Sequence, residues 1–179
     1  MIINQGAFYL LAFATVGTLL SASLFITNAE GALSEAGLVV KKKATLLASL
    51  WFLSSFIGVL LKVAQILDVS LLDALDGTTI NSYLTQTSLG KAMFLQMAGL
   101  AIVAIALPFF KRAIPIIILT GISLLALIAP IFESHAAASG SHGLAIGALV
   151  THVIALSLWV GGLFGITITA RDQRITALY

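Results

Sequence analysis

The chain has 179 residues, of which 60% are hydrophobic and only 9% charged, with a formal net charge of +2 and a mean hydropathy of +1.12. A soluble domain carries roughly 25% charged residues, so this composition excludes an ordinary water-facing fold and points to lipid as the main solvent. Cysteine is absent, which excludes a disulfide framework and any thiolate metal site.

A helix needs roughly 20 apolar residues to cross about 30 Å of hydrocarbon. Five such stretches occur, at 5–27, 44–67, 89–110, 113–132 and 142–170. The expected fold is all-α: a single-domain polytopic membrane helix bundle whose first partner is membrane lipid. The first stretch follows Met1, Ile2, Ile3 and Asn4 without a basic region and is long for a signal peptide, so it reads as a retained helix.

Connections fix the expected orientation. Lys41, Lys42 and Lys43 precede the second helix, Lys111 and Arg112 separate the third from the fourth, and Arg171 and Arg174 follow the fifth. Five crossings put all three clusters on one side, which the positive-inside rule makes the cytoplasmic side. The N-terminus is then outside and the C-terminus inside. The clusters are a topology signal, and no nucleic-acid partner is expected. Residues 28–43 read as a small-residue linker. Residues 68–88 form the longest polar connection, where Leu71, Leu72 and Leu75 either line a short interfacial helix or belong to a plain connector. Pro108, Pro115 and Pro130 mark helix boundaries or mild kinks.

All three histidines lie in one late segment. His135 follows Glu133 and Ser134, His142 opens the last helix, and His152 sits ten residues on, roughly 15 Å deeper along a helix. An ionisable group at mid-membrane is a functional candidate, and imidazole binds copper, zinc, nickel or iron. On the third helix Met93 and Met97 share one face at i, i+4. Thioether sulfur favours Cu(I), and Met97 lies roughly 12 Å deep, close to the depth of His152. The candidate metal ligands are therefore His135, His142, His152, Met93, Met97 and Glu133; the alternative is that the methionines fill packing gaps and His152 bonds a neighbouring helix. Gln96 between the methionines needs a partner. Lys62 reads as a snorkelling residue near the outer end of the second helix. Gly161 and Gly165, with Gly162 beside them, offer a close-packing face, and Trp159 is read as a packing residue on the face of His152, seven residues away. No catalytic constellation is visible, so an enzyme is not expected.

The stretch Ser134-His135-Ala136-Ala137, then His142, then His152-Val153-Ile154-Ala155-Leu156-Ser157-Leu158-Trp159-Val160-Gly161-Gly162-Leu163, resembles the copper resistance protein D (CopD) family. That family's pattern is a Gly-His-Ala-like step, a short loop, and a helix with His followed by Trp-x-Gly-Gly-Leu. Thr87-Ser88-Leu89-Gly90-Lys91 resembles its Thr-x-x-Gly-Arg/Lys helix entry. Ser134 stands where glycine is frequent in the family. The resemblance covers about residues 84–165, and residues 1–83 match in hydropathy alone. It implies a multi-pass protein of the bacterial plasma membrane in copper ion transport, resistance or delivery, with His135 and His152 as candidate functional residues. Family members occur alone or fused to a cytochrome c oxidase assembly (CtaG-type) domain, and they usually continue for several more helices, so the expectation is a CopD-like domain that ends early. Copper is the expected ion, and a periplasmic copper-binding protein or an oxidase assembly factor the expected partner. Two other readings stay open: a haem-binding redox protein using His152, and a metal-free scaffold for a respiratory oxidase.

Overall fold

The structure is a computed structural model that describes residues 2–24, 26–28, 30–133 and 142–176. Among the described residues six α-helices follow one another: α1 (Ile2–Leu24), α2 (Glu35–Leu67), α3 (Gly77–Gln86), α4 (Ser88–Ala106), α5 (Ala113–Ile128) and α6 (His142–Thr176). All but α3 are long and apolar enough to span a membrane. Short 3-10 turns at Leu107–Phe109 and Ala129–Glu133 extend α4 and α5, and these hold Pro108 and Pro130. Pro115 sits in the first turn of α5, where a missing N–H breaks no helical bond.

Helix α1 is the centre of the bundle and packs on α6, α2 and α5. Ala12, Thr15, Val16, Thr18 and Leu19 on it are fully buried. Small side chains make this possible, because they let neighbouring backbones approach. Its hydroxyls bond back into the helix: Thr15 Oγ1 donates to the Leu11 carbonyl at 2.7 Å and Thr18 Oγ1 to the Ala14 carbonyl. In lipid this removes the cost of an unsatisfied polar group. Helix α4 lies on the other side, against α2, α3 and α5.

The linker expected at residues 28–43 is shorter than its composition suggests. Ser34 caps α2 by accepting from the Gly37 N–H at 3.2 Å, so α2 begins at Glu35 and contains all three lysines. The remaining turn is held by Asn28 Oδ1, which accepts from the Ala32 N–H at 2.9 Å. It is tied to the α4–α5 connection through Leu33 N to the Lys111 carbonyl and Ala113 N to the Gly31 carbonyl, both 2.9 Å. Lys41 is buried rather than solvated, 7% exposed. Its Nζ donates to the Pro108 and Phe110 carbonyls at 2.8 and 3.1 Å, satisfying acceptors left free where α4 ends. Ile168 of α6 packs into the Ala22, Ile26 and Val40 cluster, so the three basic clusters share one end of the bundle. Asp68, Asp73, Asp76 and Glu133 mark the opposite, acidic end.

At the acidic end, residues 68–88 hold more than either the short interfacial helix or the plain connector left open around Leu71–Leu75. A 3-10 turn, Asp73–Leu75, is followed by α3, with Leu71, Leu72 and Leu75 exposed. Asp76 caps α3 by accepting from the Thr79 N–H at 2.7 Å. Hydrogen bonds from Thr79 hold the exposed Asp76 carboxyl below its usual pKa. Thr87 closes α3 and opens α4: its Oγ1 donates to the Tyr83 carbonyl at 2.8 Å and accepts from the Gly90 N–H at 2.9 Å. A Cβ at position 90 would fall on the Tyr83 carbonyl, which gives the Thr-x-x-Gly step its physical reason.

Candidate functional site

The acidic end contains a cavity of about 240 Å³ between α1, α2, α4 and the Ala129–Glu133 turn, with Leu149 of α6 at one side. Its polar lining comes from Asn4, Gln5, Ser54, Ser55, Lys62 and Gln96, and Met93 adds a sulfur. Much of this polarity is already paired within the protein. Asn4 Nδ2 donates to the Ser54 carbonyl at 3.3 Å, and Ser54 Oγ donates to Asn4 Oδ1 at 3.2 Å. Ser55 Oγ donates to the Trp51 carbonyl at 2.9 Å. Tyr83 Oη donates to Met93 Sδ at 3.5 Å, and burial pushes the Tyr83 phenol above its usual pKa.

Three buried side-chain polar atoms lack a partner among the described residues, the Ser21 hydroxyl of α1 and two nitrogen donors. One is Nε2 of Gln96, whose side chain is only 2% exposed. The other is Nε1 of the fully buried Trp51. The Trp51 ring meets Phe8 edge-on, with centroids 5.8 Å apart, and Phe8 itself lines the cavity. An enclosed unsatisfied N–H costs about 1–3 kcal/mol, so each marks a place where packing was not arranged for stability alone.

The four ligand candidates whose side chains are described do not converge. Met93 faces the cavity, whereas Met97 packs beside it against the Val59, Val63 and Tyr83 cluster and does not line it. Glu133 ends the 3-10 turn and is exposed. His135, and the side chain of His142 at the start of α6, lie outside the described residues. His152, expected as a ligand close in depth to the methionines, is not brought together with them. Its side chain is exposed on α6, a helix that packs chiefly on α1, while the methionines ride on α4 on the far side. Helix α6 turns Val153, Ser157, Gly161 and Gly165 inward, and that register leaves residue 152 outward. No group of three His, Asp or Glu side chains comes together among the described residues.

The residues read as a packing set also divide. Gly161 and Gly165 straddle Gly17 of α1, and a Cβ on any of the three would fall on a backbone carbonyl of the other helix. Trp159 belongs to the opposite face, 69% exposed, and a Cβ on Gly162 would meet nothing within 4 Å. Lys62, expected to snorkel, lines the cavity and has no ion pair or hydrogen bond among the described residues. Sequence reasoning missed Asn4, Ser54 and Trp51 as neighbours of this site. The one available signal was Gln96, a polar residue with no helical partner in an apolar span.

The fold and the cavity define a multi-pass helical membrane protein with a partly polar chamber at one end. Within that class, a sequence model described as copper resistance protein D-like, N-terminal domain, matches residues 1–145, and the chain belongs to this family. The match includes α1 and α2, where the resemblance in the sequence was one of hydropathy alone. Comparisons with curated proteins and with solved structures returned no match.

Proposed function

We propose that this copper resistance family member is a carrier, not an enzyme, that receives copper as cargo at its acidic end and moves or delivers it across a bacterial plasma membrane. Family membership over residues 1–145 is the observation that carries this reading. The shared end of Lys41–Lys43, Lys111, Arg112 and Arg171 supports a cytoplasmic placement for that end, with the N-terminus and the cavity outside. Glu133, His135 and His142, which follow one another in the sequence between α5 and the start of α6, are the proposed first ligands. The Met93 sulfur in the cavity is the proposed next one, soft and weak enough to release Cu(I). The outward His152 is not required. A periplasmic copper-binding protein is the proposed donor.

The test is copper content by elemental analysis after loading purified protein with Cu(I) and Cu(II), for the parent and for His135→Ala, His142→Ala and Met93→Leu. The parent is expected to retain copper, and the variants to retain less. Copper content equal to a metal-free control in the parent, or unchanged in all three variants, refutes the reading.

A further inference from the structure

We propose that the acidic-end cavity is a binding site for a small organic anion, a carboxylate on an apolar body, recognised by Lys62 and Gln96. The inference does not rest on the copper reading. It follows from what remains after the internal hydrogen bonds are counted. The Asn4 oxygen and the hydroxyl hydrogens of Ser54 and Ser55 are committed within the protein. Among the uncommitted groups are two donors, the Lys62 ammonium, unpaired among the described residues, and the enclosed Nε2 of Gln96, while the Gln5 amide adds both a donor and an acceptor. No Asp or Glu is among the described residues that line the cavity. The one soft acceptor, Met93 Sδ, already takes a hydrogen bond from Tyr83.

A donor-rich, carboxylate-free chamber with a cation in its wall is the complement of an oxyanion. Charge-assisted hydrogen bonds from an ammonium and an amide would satisfy both groups together, and low-dielectric walls strengthen them. Those walls, Phe8, Tyr9, Leu61, Leu127, Ile131 and Leu149, call for an apolar body behind the charged head, as in small-molecule sites generally. A cation is poorly served there only while the Lys62 charge stands unneutralised, since that charge repels it. A bound carboxylate would neutralise that lysine and ease the approach of any cation to the same end.

The full chain in phosphatidylcholine nanodiscs would be tested by equilibrium dialysis against three probes of one shape: benzoate, benzamide and benzylammonium. Benzoate is expected to bind saturably at one site, benzamide at least about tenfold more weakly, the loss of one charge-assisted contact, and benzylammonium not at all. Lys62→Met should weaken benzoate by about tenfold or more while leaving benzamide unchanged, and Lys62→Arg should retain benzoate. Gln96→Leu should weaken both probes. Lys91→Met, an exposed position on α4 away from the cavity lining, should weaken neither. Thermal unfolding of each unliganded variant separates a lost site from a lost fold. Absence of saturable benzoate binding, equal affinity for benzoate and benzamide, or full benzoate affinity in a folded Lys62→Met protein overturns the proposal.

Discussion

Substituting Gly17 by Ala tests the central packing of the bundle. The new Cβ would lie 2.5 Å from the Gly161 Cα, and closer still to its carbonyl carbon and oxygen. Carbon atoms in contact prefer about 3.5–4.0 Å, so α1 and α6 would have to separate by at least about 1 Å. Every atom struck is backbone, so no rotamer change relieves the clash. Overpacking of this kind typically costs about 1–3 kcal/mol, and the rigid neighbours put this case at the upper end. A loss of about 3 kcal/mol corresponds to roughly 6–12 °C in a domain of this size, and it is a large share of a total stability of about 5–15 kcal/mol. Gly162→Ala is the matched control, because its Cβ meets nothing within 4 Å and Ala is the better helix former by about 0.5–1 kcal/mol. Thermal unfolding followed by circular dichroism would be compared for the two proteins. Equal midpoints would refute the close crossing of α1 and α6.

Other outcomes follow from particular contacts. Lys41→Met removes two hydrogen bonds from a charged donor to the Pro108 and Phe110 carbonyls, and unfolding should be easier by about 1.5–3 kcal/mol; an unchanged denaturation midpoint contradicts the buried placement of this lysine. Gln96→Leu replaces an enclosed amide that lacks an acceptor, so it should raise stability by about 1–3 kcal/mol, whereas a lowered midpoint would mean that the amide has a partner. Asp76 has its pKa lowered by folding, so its support for α3 is present above the ordinary carboxylate pKa and is lost as pH falls toward the folded value. Protection of the Thr79 amide, measured relative to its intrinsic exchange rate at each pH, should therefore fall in acid, and Asp76→Ala should abolish that fall.

The spans were legible because crossing a bilayer demands a run of apolar residues whatever the neighbours are. Five stretches were read, and five helices among the described residues are long and apolar enough to span a membrane. Local polar chemistry shifted their ends: the Ser34 cap starts α2 nine residues before the expected Ala44, and the Asp76 and Thr87 caps build α3 within a connection. The prolines and the T-x-x-G step could be read for similar local reasons. The cavity was less legible, since its polar lining comes from three helices far apart in sequence, and of these residues only Gln96 stood out as lacking a helical partner.

What the sequence determined by itself was the number of spans, the gathering of basic clusters at one end, and the placing of His152 and Trp159 on one helical face. Which way that face points was decided only in the tertiary structure. In water an apolar stripe must turn inward, so pattern reveals direction. In lipid both faces are apolar, and the inward side is chosen by how closely backbones fit. Here Gly17, Gly161 and Gly165 made that choice: they bring α6 onto α1, turn Val153 and Ser157 inward, and leave His152 and Trp159 on the outside.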